Sequence, residues 1–268
     1  MIKHIFSDMD GTLLQSNGQI SERNVQVIKE SQIPFTLVSA RSPQEMTEVI
    51  AKLDLTEPQI AFNGALIFQE TAAGRKYLKS DQMAVADVTK IVEIVQKEFP
   101  RVSCSFYDWD TWCVEKIDAG IEMEIKFGGQ TPTMVDYVSL LKQPDLRVLK
   151  IMLICQDLQE MPALVSRLKA LNLDLAVNQS SEDYLEITSS TAEKSRGVEY
   201  VKQLEALDKA EMAAFGDGFN DVAMLQEVAW PIVMENALPG VKKYGRYLTK
   251  DNDHDGVAYG IENFLQNR

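Results

Sequence analysis

Histidine is almost missing from this chain: His4 and His254 are the only two in 268 residues. That scarcity leaves little room for a Ser–His or Cys–His nucleophile pair. Cysteine is scarce as well. Cys104, Cys113 and Cys155 make an odd count with no CxxC pairing, which speaks against a disulfide framework or a zinc site and fits a reducing compartment. Cys104 and Cys155 sit in apolar stretches and read as packed thiols. Positive charge is in deficit, with 27 Lys and Arg against 40 Asp and Glu and a net charge of -13. Non-specific nucleic-acid binding needs basic surface, so it is not expected here. No apolar run approaches the roughly 18 residues of a membrane span. The first residues read as a strand rather than a charged-then-apolar leader. The expectation is a soluble, cytoplasmic protein with neither a nucleic-acid nor a membrane partner.

What is present is an ordinary globular composition, 45% hydrophobic and 25% charged, long enough for one large domain or two modest ones. The first third alternates short apolar runs with helical patterns. Residues 2–7, 35–39 and 59–62 read as strands. Ser21 caps a helix to about Ser31, and Ser42-Pro43 opens another. Strands alternating with helices at this spacing imply a parallel sheet with crossover helices. From about Ser80 the texture changes to a helix, a hairpin of 101–106 with 112–116, a long strand over 146–155, a helix through Leu171, and strands at 173–177 and 184–187. This reads as an α+β insert with an antiparallel sheet. After Thr188 the first texture returns, with a helix from about Ser195, strands at 212–215, 232–234 and 247–249, and a helix at 221–227. The expected fold class is α/β, a doubly wound, mainly parallel Rossmann-like core of residues 1–81 and 189–268, interrupted by an α+β domain at 82–188.

Acidic residues cluster where such a fold binds ligands. Asp8-Met9-Asp10-Gly11-Thr12 follows the first strand, and Gly216-Asp217-Gly218-Phe219-Asn220-Asp221 follows the strand at 212–215. The carboxyl ends of parallel strands line the ligand crevice of open α/β sheets. Asp8, Asp10, Asp217 and Asp221 can converge there, and carboxylates so crowded repel one another unless a cation sits among them. Hard oxygen ligands of short reach suit Mg²⁺, bound together with waters and a substrate phosphate. Calcium is less attractive, no EF-hand spacing being read in the chain. A neutralised Asp can act as a nucleophile. Residues two apart share a strand face, so Asp8 and Asp10 can meet one substrate on extended backbone. Gly11 then turns the chain, and Thr12 can cap the segment after it. Ser39-Ala40-Arg41 ends the second strand with a hydroxyl and a cation, Asn63-Gly64 ends the third, and Lys194 stands where the chain re-enters the core.

Together these segments resemble the haloacid dehalogenase superfamily of phosphohydrolases, and the chain is similar to its Cof-type branch over essentially its full length. The likeness rests on DMDGT at 8–12, Ser39-Ala40-Arg41, Asn63-Gly64-Ala65, Lys194, GDGFND at 216–221 with Met224-Leu225, and Asn236-Ala237. It implies that Asp8 is the nucleophile and Asp10 the acid and base. It also implies that Ser39 and Lys194 hold the phosphoryl oxygens, with Arg41, Asn63, Gly64 and Asn220 as further phosphate or substrate contacts. Asp8, Asp217 and the Asp10 main-chain carbonyl would be the metal set, with Asp221 in direct or water-mediated support. Asn220 would orient Lys194 or the phosphate. The insert would be a cap that closes over the site and confers specificity, with Tyr107, Trp109, Trp112 and the Gly128-Gly129 turn as candidate contacts. Ala40 and Ser195 stand where this family often has Gly, and neither change removes a functional group.

The expected activity is Mg²⁺-dependent hydrolysis of small phosphorylated metabolites, such as sugar phosphates or phosphorylated cofactors, through an aspartyl-phosphate. The alternatives are a phosphomutase sharing that intermediate and a non-catalytic protein that binds a phosphorylated ligand. The chain is expected as a monomer or a homodimer.

Overall fold

A computed structural model of the chain describes residues 1–265. It opens with β1 (His4–Ser7), a helix at Glu22–Ser31, β2 (Phe35–Leu37), a helix at Pro43–Leu53, and β3 (Gln59–Ala61). Ser21 caps the first helix as expected, accepting the Asn24 N–H at 3.1 Å. Ser42 and Glu45 bond reciprocally at the start of the second. β4 (Leu66–Thr71) and β5 (Gly74–Ser80) then form, with β3, a three-stranded sheet in the order β3-β4-β5. The sequence pattern does not mark this pair, because Gln69, Glu70, Arg75 and Lys76 break the apolar alternation that signals a strand.

The next stretch begins with the helix Val85–Glu98. It continues through β6 (Ser103–Tyr107), β7 (Trp112–Val114), a helix at Ala119–Gly128, β8 (Thr133–Met134) and a short helix at Tyr137–Leu140. It ends with β9 (Lys150–Ile154), a helix at Met161–Lys169, β10 (Leu175–Gln179) and β11 (Tyr184–Ser189). The sheet order is β10-β11-β9-β6-β7-β8, antiparallel throughout except for the parallel β7–β8 pair. Ile151, Leu153, Phe106, Leu185 and Ile187 on one face pack with Val88, Ile91, Val95, Leu164 and Leu168 of the helices as a single apolar core. β9 is shorter than the 146–155 expected. Val148 and Leu149 are buried; Leu149 N–H still reaches the Tyr107 carbonyl at the end of β6, but the Val148 carbonyl turns to the Met83 N–H outside the sheet. The helix at Ala119–Gly128 is an element that the strand-rich reading of this stretch does not contain. Its signals are Asp118, which caps Ile121 N–H, and Gly129, whose φ of 66° closes the helix in the left-handed region.

The chain returns through the helix Lys194–Leu204, β12 (Met212–Gly216), a 3₁₀ turn at Phe219–Asp221 leading into the helix Val222–Glu227, β13 (Trp230–Val233) and β14 (Tyr247–Leu248). β12, β13 and β14 join β1 and β2 in an all-parallel sheet ordered β14-β13-β12-β1-β2. β1 is buried at every position, which explains why its sequence does not alternate. The chain winds outward from β1 to β2 in one direction and from β12 to β14 in the other. The topological switch point, where ligands bind in such sheets, therefore lies between β1 and β12. Two compact units result: Met1–Arg41 with Met46–Lys79 and the chain from Glu193 onward, and Ser80–Ala192 with Ser42–Glu45. The architecture is mixed α/β, with a parallel core sheet and additional sheets.

Candidate active site

Ser7 of β1 pairs with Phe215 of β12, so the residues just beyond them, Asp8 and Asp217, emerge side by side at the switch point. Asp8 N–H donates to the Phe215 carbonyl at 3.0 Å, which ties the two exits together. Lys194 Nζ lies 2.5 Å from Asp8 Oδ1 and 2.6 Å from Asp221 Oδ1. The Lys is 1% exposed, the reverse of the ordinary surface lysine. Its position has a backbone cause. Gly64, at φ 103°, would drive a Cβ into the Glu193 carbonyl, and a Cβ on Gly197 would come 2.6 Å from Ile60 Cγ2. The two glycines let the start of the 194–204 helix press against the end of β3.

Asp221 acts inward. Its Oδ2 accepts the N–H groups of Asp217 at 2.9 Å and Gly218 at 2.8 Å, while Oδ1 takes Lys194. Asp217 Oδ1 accepts the Thr12 hydroxyl at 2.7 Å. Thr12 is thus a holder of the opposite loop rather than a cap of its own, a role that its place after Gly11 could not reveal. Asn236 Nδ2 donates to the Gly11 carbonyl at 2.8 Å and steadies the same turn. Asp8 Oδ2 and Asp217 Oδ2 accept no hydrogen bond from any described residue. Asp8, Asp217 and Asp221 each offer an oxygen within 4.8 Å of the others. Two hard anionic oxygens without donors, beside a third carboxylate, fit a small divalent cation such as Mg²⁺.

The electrostatics follow from burial. Burial first, then the Asp221 charge, push the Asp8 carboxyl well above the usual range, against the pull of Lys194. Burial raises Asp217 to about 6, opposed by the Thr12 hydrogen bond. Burial would lower Lys194, but the charges of Asp221 and Asp8 outweigh it and hold the ammonium above its ordinary value.

Asp10 departs from the expected geometry. β1 ends at Ser7, so Asp8 and Asp10 do not share an extended face; Asp8 is buried, whereas Asp10 is exposed. Arg41 Nε and Nη2 bind its two oxygens at 2.9 and 2.7 Å. Arg41 is therefore engaged at the core instead of standing ready for a distal substrate group. Ser39, buried at the end of β2, accepts the Arg41 N–H at 3.1 Å, and its own hydroxyl proton goes to no described residue. Phe62 and Asn63 both adopt left-handed backbone, at φ 50° and 54°. They are held there by bonds from their N–H groups to the Arg41 and Ser39 carbonyls. Such strain persists where surrounding structure over-determines it. Asn220 Nδ2 donates to Asn63 Oδ1 at 3.3 Å, so it meets the third strand end and not Lys194.

The chain does carry one calcium-like spacing, contrary to expectation. Asp251, Asp253, Asp255, Gly256 and Glu262 match the D-x-D-x-D-G-x₅-E pattern of a calcium loop. The structure scatters them: Asp251 binds His254, Asp253 binds Ser16, Asp255 binds Ser21 and Glu262 binds Arg23. Spacing alone does not make a calcium site here, and the preference for Mg²⁺ rests on the other cluster.

A family model for haloacid dehalogenase-like hydrolases matches residues 5–261. The chain belongs to this family. A Haemophilus influenzae protein named "Putative phosphatase" is 29% identical over 265 residues, covering 98% of both chains. A Bacillus subtilis relative named 5-amino-6-(5-phospho-D-ribitylamino)uracil phosphatase is 24% identical over 289 residues, covering 98% of each. Among solved structures, the Thermotoga maritima protein TM0651 superposes with a TM-score of 0.87 at 25% identity, covering 98% of this chain and 97% of that one. The enzyme class read from the sequence, a haloacid-dehalogenase-type phosphatase, agrees with these matches along the whole chain.

Proposed function

We propose that this hydrolase is a Mg²⁺-dependent phosphomonoesterase of small phosphorylated metabolites that works through an aspartyl-phosphate on Asp8. The observation that carries this reading is the buried Lys194 fixed 2.5 Å from Asp8 at the switch point, with Asp217 beside them. The Asp8 carboxylate attacks phosphorus in line through Oδ1, the oxygen beside Lys194, leaving Oδ2 to the cation. The ester P–O bond breaks, and its electron pair leaves with the alcohol oxygen, which takes a proton from Asp10. Water then gives a proton back to Asp10 and attacks the same phosphorus. The bond to Asp8 breaks, and inorganic phosphate departs. Ser39 donates its free hydroxyl to a phosphoryl oxygen, and Lys194 offsets the charge, so the protein's work is positioning and charge stabilisation. Mg²⁺ held by Asp8 Oδ2 and Asp217 Oδ2 would neutralise the repulsion between the carboxylate nucleophile and the phosphate dianion. The Asp10 carbonyl would complete that set, and Asp221, whose oxygens are already occupied, supports it from behind.

Substrate choice is assigned to the Ser80–Ala192 unit. The sheet face opposite its apolar core carries Tyr107 stacked with Trp112 at 6.0 Å, Lys150 3.4 Å from Glu186, and Tyr184 donating to Glu124 at 2.7 Å, with Tyr107, Trp112 and Lys150 buried. Aromatic faces interspersed with both charges suit a polar, ring- or polyol-bearing metabolite. The phosphorylated ribityl compound named for the Bacillus relative belongs to that class.

The test is phosphate release from a panel of phosphorylated metabolites, with and without Mg²⁺, beside Asp8→Asn. Turnover that needs the ion and disappears in the variant supports the reading. Release that persists in Asp8→Asn would sink the covalent route, and transfer of phosphate within the substrate without release would make the enzyme a mutase.

A further inference from the structure

We propose that β10 is a dimer interface: two copies of this chain pair β10 with β10, antiparallel, about a twofold axis through Val177. Edge strands offer a row of unpaired N–H and C=O groups, and proteins blunt them with charge, proline or shortness. Other edges in this molecule are blunted in those ways. β5 carries Arg75, Lys76 and Lys79, and β8 and β14 are two residues each. β10, Leu175-Ala176-Val177-Asn178-Gln179, is five residues without charge or proline, and it pairs on one side only, with β11.

The ladder shows what this edge presents. Ser190 N–H donates to the Asp174 carbonyl and Ser180 N–H to the Tyr184 carbonyl. With the register Leu175↔Ser189 and Val177↔Ile187, these bonds make Ala176 and Asn178 the residues that bond to β11. Leu175, Val177 and Gln179 therefore turn their main-chain groups outward. The Leu175 N–H is already taken by the Leu173 carbonyl at 2.8 Å. Antiparallel self-pairing about Val177 matches what is left. Each Val177 N–H meets the Val177 carbonyl of the second copy, and each Gln179 N–H meets a Leu175 carbonyl. An isologous contact requires this kind of self-complementarity.

The side chains agree with the register. Leu175 and Val177 are only partly buried, though packed against the unit's core. With Ile91, Leu168, Lys169 and Asn172 they border a cavity of about 230 Å³. A second copy would cover their exposed flanks.

The test is solution mass by light scattering across a concentration series, with hydrogen exchange at Val177 and Gln179. The wild type is expected to pass from monomer to dimer on the order of micromolar concentration, as befits a small interface. Protection of those two amides should rise with it. Val177→Lys sets like charges on the axis, and Val177→Pro removes only an outward N–H, which an edge strand tolerates. Both should be monomers that still unfold cooperatively at low concentration, Val177→Lys at a somewhat lower temperature because Val177 packs partly on the core. A monomer at every concentration, amides indifferent to concentration, or a dimer unaffected by Val177→Lys would overturn the proposal.

Discussion

Lys194 Nζ and Asp221 Oδ1 form a 2.6 Å ion pair between side chains that are out of contact with solvent. Buried charges are tolerated only as a closed set, and here Lys194 also serves Asp8. Lys194→Met should strand two buried carboxylates. We expect a loss on the order of 3–5 kcal/mol in denaturant unfolding without metal. Phosphate release should fall at least about a hundredfold even where the variant is fully folded, because the charge on the transferring group is no longer offset.

Arg41 and Asp10 make the opposite kind of pair, two-pronged but exposed, with the Asp10 side chain 57% accessible. Exposed pairs add at most about 1 kcal/mol to stability. Arg41→Met should therefore leave the melting temperature nearly unchanged while lowering kcat by roughly tenfold to a hundredfold, since Asp10 can then rotate away from its working position. Arg41→Lys keeps the charge but loses the planar fork, and its kcat should fall between the two. Equal rates for wild type and Arg41→Met would dissociate the pair from catalysis.

Gly64→Ala places a methyl group on the Glu193 carbonyl at a backbone φ of 103°. The chain has to move Lys194 to relieve it. We expect a loss of about 1–3 kcal/mol of stability together with reduced turnover. Gly197→Ala, whose Cβ would meet the buried, β-branched Ile60 side chain, should also cost stability, but it should lower turnover less because it does not press on the backbone before Lys194.

Proton competition gives a prediction read without any substrate. Asp217 is raised from 3.8 in the unfolded chain to about 6 in the folded one. A carboxyl raised in this way binds protons more tightly when folded. Its contribution to stability is complete below the unfolded value and is lost as pH rises through about 6. Asp8, raised by burial as well, adds in the same direction. The metal-free protein should lose stability over that interval. Mg²⁺ needs both groups ionised, so its stabilising shift in melting temperature should be small near pH 5 and large near pH 7.5. A shift of equal size at both values would place the ion elsewhere.

Much of this site is legible in the sequence because its residue types are poor building material where they occur. Asp8, Asp10, Asp217 and Asp221 interrupt or follow apolar strands, and Lys194 precedes a helix, so each stands out from its surroundings. The strands β4 and β5 do not stand out, because their charged residues are tolerated on a sheet that needs no continuous apolar face. The calcium-like spacing at 251–262 gives the converse lesson: the letters fit, yet each carboxylate is tied to a partner of its own, His254, Ser16, Ser21 or Arg23.

Local chemistry in the sequence by itself determined the strand–helix alternation, the acidic strand ends and the family, because periodicity and motif spacing are properties of neighbouring residues. Only the tertiary structure decided that Lys194 is a buried counter-ion and that Thr12 serves Asp217. It also decided that Asp221 faces inward, that Arg41 clamps Asp10, and that β10 is left as an edge. Most of these relations join residues distant in the chain, and they depend on how closely backbones approach. The missing side chains of Gly64 and Gly197 permit that approach, but only the folded packing shows what fills the space.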